Sequence, residues 1–230
     1  MNNSDQTFKV GKIVTVFSHG YGVKRDSKGL FSTIAETLPE DQGFLLFDYY
    51  DINRLDSYAP GMKVMAHKLA KKLLMVSETP GVKEIHLVGH SMGCILICLA
   101  KLPATVTKVT FLAPPLHSFN KRDFRAGFVN YHPGSYVEDK NNVVIPRKNG
   151  GKLTLSADWI DDMANADMYA LINKFCELRP VNIIEATEDT KVGDHSRYAE
   201  LAKNPNVTLR RIQADHNFTN DDVRSSELIN

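Results

Sequence analysis

The chain has 230 residues, enough for one core that buries roughly 70–75% of the unfolded surface, and it reads as a single domain (1–230) carrying an insertion. Its 28 Lys and Arg balance 27 Asp and Glu to a formal charge of +1 with no block of like charge, which argues against nucleic acid or anionic lipid as a partner. No basic-then-apolar leader opens the sequence, and no apolar run reaches the ~20 residues that span a bilayer, so a soluble, cytoplasmic chain without a membrane span is expected. The odd cysteine set, Cys94, Cys98 and Cys176, fits reduced core thiols rather than a disulfide framework or a metal site.

Residues 12–18 are apolar and β-branched almost throughout, the pattern of a strand covered on both faces in a parallel sheet. They run into His19-Gly20-Tyr21-Gly22, where two glycines let the backbone approach a ligand and offer an N–H, from Tyr21 or from Gly20. Leu30, Phe31, Ile34, Ala35 and Leu38 predict a helix over 27–38 that stops before Pro39. A second buried strand over 43–50 leads into a polar loop through Asp51, Asn53 and Arg54. Asp48, at the end of that strand, reads as a carboxylate that satisfies loop backbone donors rather than as a catalytic group. From 59 to 77, Met62, Met65, Ala66, Leu69, Leu73 and Leu74 recur three and four apart and predict an amphipathic helix with a lysine-rich outer face.

The organising stretch follows. Five residues from Glu84 that alternate toward an apolar run end in Gly89-His90-Ser91-Met92-Gly93, and an apolar, turn-free segment continues to Ala100, so the order is strand, sharp turn, helix. A serine held in such a turn takes a strained backbone conformation that lifts its Oγ clear of the sheet, and a glycine on either side removes a Cβ that would collide. The Met92 N–H, at the start of the helix, is then free to hold an anionic oxygen.

Residues 106–113 read as a further strand, closed by Pro114-Pro115. The alternation of strand and helix then breaks over about 116–178, the stretch expected to form a small cap. Within it, residues 143–147 and 152–156 flank Lys148-Asn149-Gly150-Gly151 as a hairpin, with Pro146 confining its strand to an edge, and short helices are predicted around 159–164 and 167–176. Phe119, Phe124, Phe128, Tyr131, Tyr136 and Trp159 would supply an apolar wall. Strands over 180–186 and 207–212, a helix over 195–203 and a closing helix from about Asp221 complete the pattern. The result is an α/β chain, a three-layer α/β/α sandwich with a mostly parallel sheet of about six strands. In such sheets reactive groups gather past the carboxyl ends of the strands, where Ser91, the 19–22 loop, Asp189 and His216 all fall.

A serine hydroxyl needs a base to take its proton, and the imidazole of His216, in a loop after the last strand, suits that role. His90 adjoins the serine and should point away from it, and His195 should open a surface helix. The base needs an orienting carboxylate. Asp189 fits best, with Glu188 and Asp194 as alternatives.

The order Ser91, Asp189, His216, with His19-Gly20 after the first strand and a cap after the fourth, resembles the α/β-hydrolase family over nearly the whole chain. Asp215-His216-Asn217-Phe218 is similar to the Gly-His-x-Phe ending common in these enzymes. The opening antiparallel hairpin of the fullest form of the fold looks missing or reduced. The resemblance implies a small carboxylesterase, related to lipase-like and feruloyl-esterase-like members. Ser91 would be the nucleophile, His216 the base and Asp189 its partner, with Tyr21 and Met92 N–H groups forming the oxyanion hole. It implies a small-molecule ester substrate and no metal or organic cofactor. Thioester or amide cleavage would use the same machinery, and a non-catalytic ligand-binding protein on the same fold is the alternative of a different class. Oligomeric state is not legible in the sequence.

Overall fold

The computed structural model describes residues 5–117, 124–138, 141–192, 195–220 and 223–230, without the side chain of Phe124. The first half of the chain forms β1 (Gln6–Lys9), β2 (Ile13–Ser18), α1 (Leu30–Glu36), β3 (Gly43–Phe47), β4 (Asp56–Ala59), α2 (Met62–Ser77), β5 (Glu84–His90), α3 (Met92–Leu99) and β6 (Val106–Leu112). The second half forms α4 (Phe124–Tyr131), β7 (Tyr136–Val137), β8 (Val143–Pro146), β9 (Lys152–Leu155), α5 (Ala157–Asn165), α6 (Met168–Leu178), β10 (Val181–Ala186), α7 (Ser196–Leu201) and β11 (Val207–Ile212). A 3₁₀ turn, Ser226–Leu228, follows.

The main sheet has seven strands in the order β1-β3-β2-β5-β6-β10-β11, all parallel except β1. The central strands bury both faces because successive side chains alternate across the sheet. Val14 and Val16 of β2 pack with α2, α3 and α6 on one side, whereas Phe17 packs with Leu30, Phe31 and Ile34 of α1 on the other. That arrangement is the α/β/α sandwich. From β2 the chain steps outward to β3 and then returns across β2 to β5. The carboxyl ends of β2 and β5 therefore border the crevice where the winding direction reverses.

The six expected parallel strands are present, and β1 is a seventh, pairing Thr7 with Leu46 in antiparallel register. It is short and half-exposed, and its polar residues carried no strand signal. The helix expected over 27–38 begins only at Leu30, because Ser27, Lys28 and Gly29 take left-handed backbone angles with φ of 48°, 59° and 85°. The helix expected from 59 begins at Met62, since residues 56–59 are strand β4. In place of the closing helix from about Asp221, a position outside the described residues, the described end of the chain holds the 3₁₀ turn. Cys94 and Cys176 are buried and Cys98 half-buried, all as free thiols.

A second sheet has the order β4-β9-β8-β7. The hairpin of β8 and β9 turns through Gly150 at φ 83°, and β7 extends it. Pro146 was expected to keep β8 at an edge, yet β8 lies between β9 and β7. The proline is tolerated because β7 pairs only with Val143 and Val144 and ends before reaching it. β4 joins from a distant part of the chain, parallel to β9 with Asp56 opposite Lys152. Arg147 Nη1 donates to the Ile52 and Arg54 carbonyls at 3.0 and 3.3 Å, and Asp162 Oδ2 accepts from the Met62 N–H at 2.9 Å. α6 turns back to the main body, packing on α3, with Phe175 against Phe111 of β6 at 5.6 Å between ring centroids.

Candidate active site

Ser91 sits between β5 and α3 with φ 54° and ψ −127°, a conformation that L-residues rarely adopt. The crowding that enforces it is visible at the flanking glycines. A Cβ on Gly93 would lie 1.9 Å from the Ser18 carbonyl oxygen, and one on Gly89 would lie 2.8 Å from Ile97 Cδ1 and 3.0 Å from the Cys94 backbone. The Ser18 hydroxyl, accepting from the Tyr49 O–H, donates to the Gly93 carbonyl at 2.9 Å and ties the end of β2 to the first turn of α3.

Ser91 Oγ is 3.0 Å from His216 Nε2, and His216 Nδ1 is 2.6 Å from Asp189 Oδ2. The carboxylate accepts only, so Nδ1 carries the proton and Nε2 faces the serine as acceptor. The Asp189 side chain is fully buried and that of His216 is 10% exposed. Burial alone would raise the Asp189 carboxyl, but the His216 ring and the Lys191 and Val192 N–H donors outweigh it and hold the group below its ordinary value. Asp189 is therefore an ionised carboxylate with one oxygen committed to backbone and the other to the imidazole. The structure thus brings together all three side chains expected from the sequence.

The loop after β2 lies directly against the serine, since a Cβ on Gly20 would stand 3.2 Å from Ser91 Cβ. His19 fixes that loop. Its Nε2 accepts from the Tyr49 N–H at 3.2 Å, so the proton is on Nδ1, which donates to the Gly20 carbonyl at 2.9 Å. Carbonyl and N–H of a trans peptide point opposite ways, and pinning the Gly20 carbonyl turns the Tyr21 N–H away from His19. The Tyr21 ring rests on Trp159, Phe128 and His132, at 5.1, 5.8 and 6.2 Å between centroids. Met92 is the first residue of α3, so its N–H has no acceptor within the helix.

The model of a family described as alpha/beta hydrolase of unknown function (DUF900) matches residues 3–111. Among solved structures, the chain is similar to Est1E from Butyrivibrio proteoclasticus with bound ferulic acid, at 15% identity and TM-score 0.65 over 98% of this chain and 90% of that one. It is similar to a structure from work on the metagenome-derived lipolytic enzymes LipS and LipT, at 14% identity and TM-score 0.64 over 99% and 94%. It also resembles an esterase domain from Rhodothermus marinus, at 16% identity and TM-score 0.61 over 92% and 81%. This chain has the α/β-hydrolase fold. No functionally curated protein matches its sequence.

The other candidates offered by the sequence lie elsewhere in this fold. Asp48 accepts the Arg25 N–H at 2.7 Å and serves the loop behind the site. Glu188 is exposed and accepts from Gln213 Nε2 at 2.8 Å, and Asp194 lies outside the described residues. His195 turns to Glu185 Oε1 at 2.9 Å and to the Asp189 carbonyl at 2.8 Å instead of to the serine. Of the expected apolar wall, Trp159 and Phe128 do meet the 19–22 loop, whereas Tyr131 and Tyr136 are 73% and 48% exposed. Solvent, not the cleft, receives those two rings. Phe119 and the Phe124 side chain lie outside the described residues. Among the described residues no three His, Cys, Asp or Glu side chains converge as metal ligands would, and no helix is long and apolar enough to cross a membrane.

The fold also buries two imidazoles that the sequence pattern gave no part in proton transfer. Burial lowers His19 to about 4 and His90 to about 3, although hydrogen bonds to the Gly20 and His216 carbonyls pull the other way. Both rings stay neutral in the folded chain while the unfolded chain protonates them near pH 6.5, so stability falls as pH drops below that value. Integrated from the unfolded value, the two rings together cost roughly 3 kcal/mol between pH 6.5 and 5. His195 opposes this. Its pKa is raised, first by the Asp189 carbonyl and then by Glu185, so its contribution is present at low pH and lost as pH rises. Urea unfolding is expected to show a clearly lower midpoint at pH 5 than at pH 7.5, and equal midpoints would contradict the neutral burial of His19 and His90.

Proposed function

We propose that this protein hydrolyses a carboxylic ester of a small or medium-sized molecule through an acyl-serine intermediate. The observation that carries this reading is the continuous chain from Asp189 through His216 to Ser91, at 2.6 and 3.0 Å, ending on a serine in a strained turn. His216 Nε2 takes the proton as Ser91 Oγ attacks the ester carbonyl, and Asp189 stabilises the resulting imidazolium. The Met92 and Tyr21 N–H groups receive the negative oxygen, with about 3–4 kcal/mol of transition-state stabilisation per donor. The imidazolium then protonates the departing alcohol. A water, deprotonated by the same ring, adds to the acyl-serine, and collapse of that second tetrahedral intermediate releases the acid and restores Ser91. The partly exposed rings of Tyr21 and Phe128 beside the oxyanion donors, backed by the buried Trp159, support an apolar acyl or alcohol group as the part recognised.

Initial rates on p-nitrophenyl esters of increasing acyl length test the reading directly, together with labelling by a fluorophosphonate. Turnover that varies with acyl length, and a covalent adduct on Ser91, are the expected results. A purified, folded chain that neither turns over any ester of the series nor takes up the label would favour a non-catalytic binding protein.

A further inference from the structure

The loop that carries His216 has no ladder to hold it. Residues 213–220 form neither helix nor strand, so their backbone groups must be satisfied by other means. Asp215 Oδ1 accepts from the Asn217 and Thr219 N–H groups at 3.2 and 2.9 Å, which sets the turn. Three successive carbonyls are then gripped by side chains. Arg224 donates to the carbonyls of Asn217, at 3.0 Å, and Phe218. The carbonyl of His216 itself accepts from His90 Nε2 at 2.7 Å.

His90 is the residue immediately before the serine, and its side chain leaves the opposite face of β5 from the core that holds Leu87. It reaches the back of the His216 loop, with the two imidazole centroids 5.0 Å apart. A carbonyl can only accept, so Nε2 of His90 carries a proton, and Nδ1 of the neutral ring accepts from the Ser27 hydroxyl at 2.8 Å. Ser27 is 1% exposed and sits in the left-handed stretch that precedes α1. The ring is 3% exposed and touches Phe31 and Phe218 edge-on, so neither water nor a rotamer change competes for its hydrogen bonds.

From these contacts we propose that His90 is a positioning residue for catalysis, a strut running from Ser27 to the main chain of His216 that sets the height of the base over Ser91. The proposal rests on His216 being the general base. One peptide of β5 and α3 thereby fixes both partners of the proton transfer. Ser91 is placed by the turn and His216 by the side chain next to it, so a movement of the elbow carries nucleophile and base together. A reacting pair displaced by about 1 Å loses roughly 100-fold in rate, and that is the scale on which the strut acts.

Two near-isosteres separate the strut from simple core filling. The amide of glutamine reaches the position of the imidazole Nε2 and can donate to the His216 carbonyl, whereas asparagine reproduces only the Nδ1 side that meets Ser27. With a p-nitrophenyl ester as substrate, His90→Asn is expected to lower kcat by about 10- to 100-fold with KM within about two-fold, and His90→Gln to keep kcat within a few-fold of the unmodified chain. Folding of both variants is checked by their thermal midpoints. A folded His90→Asn with undiminished kcat would overturn the proposal, as would equal losses in the Asn and Gln variants. A measurement on the unmodified chain stands independently of folding in any variant. Spectra of ¹⁵N-histidine-labelled protein are expected to show His90 as the Nε2–H tautomer from pH 5 to 8, and an Nδ1–H tautomer would leave no donor facing the carbonyl and rule the strut out. Failure of the serine-hydrolase reading would appear separately, as an unmodified chain that the fluorophosphonate does not label.

Discussion

Ser91→Ala is expected to lower kcat on p-nitrophenyl esters by about 10⁶-fold, to abolish fluorophosphonate labelling, and to leave the thermal midpoint within a few degrees of the unmodified chain. The asymmetry follows from what the hydroxyl does. In the resting structure Oγ makes one hydrogen bond, to His216 Nε2, from a half-buried position, so its removal leaves no buried donor stranded. In the proposed reaction it is the atom that forms the bond to the acyl carbon. The backbone strain at φ 54° belongs to the turn and is borne by alanine as by serine. Turnover close to that of the unmodified chain would remove Ser91 from the mechanism.

Asp189→Asn is expected to cost about 10⁴-fold in kcat, the scale seen when the orienting carboxylate of a serine triad is made an amide. The surroundings dictate which way the amide would face. Asp189 Oδ1 accepts from the Lys191 and Val192 N–H groups at 2.7 and 3.3 Å, and an NH₂ turned toward two donors would be repelled there. The amide oxygen would keep those bonds and the NH₂ would point at His216 Nδ1. That nitrogen would then have to accept, moving the proton to Nε2, where it faces Ser91 Oγ as a donor instead of as a base. Binding should suffer less than turnover, so KM is expected to change little. Glu188→Gln, at an exposed carboxylate bonded to Gln213, should change neither constant appreciably. A large loss there, or in Asp194→Asn, would move the acid to that position.

The parts of this chain that could be read from its sequence are those written in local pattern. Residues 13–18 and 43–47 announce buried strands because both faces of each are largely apolar, residues 84–90 do so by alternating toward an apolar run, and Gly-x-Ser-x-Gly announces its turn because the two missing Cβ atoms are demanded within five residues. β4 was passed over as loop because Asp-Ser-Tyr-Ala has little apolar alternation, and its partner β9 lies far along the chain. α4 was missed for a different reason. Phe124, Phe128 and Tyr131 have helical spacing, but Gly127 and Asn130 dilute it and Tyr131 faces solvent. His90 was correctly expected to turn away from Ser91, yet nothing nearby in sequence could show that it would meet a carbonyl on the far loop. Pairings of that kind become visible only when the sheet has set its strands side by side.

The parallel pairing of β4 with β9 also bears on how such a fold can be altered. A roof carried wholly by one insertion could be exchanged between relatives as a cassette, cut at its two ends. Here the roof is woven from two stretches of chain, because Asp56–Ala59 supplies one edge of the second sheet and is held there by Arg147 and by the close approach of Gly151 to the Leu55 carbonyl. Excising residues 116–178 would expose the unpaired edge of β4 and strip α6 from α3. Change in this region must therefore proceed side chain by side chain, through positions such as Phe128 and Trp159, and not by transplanting the whole.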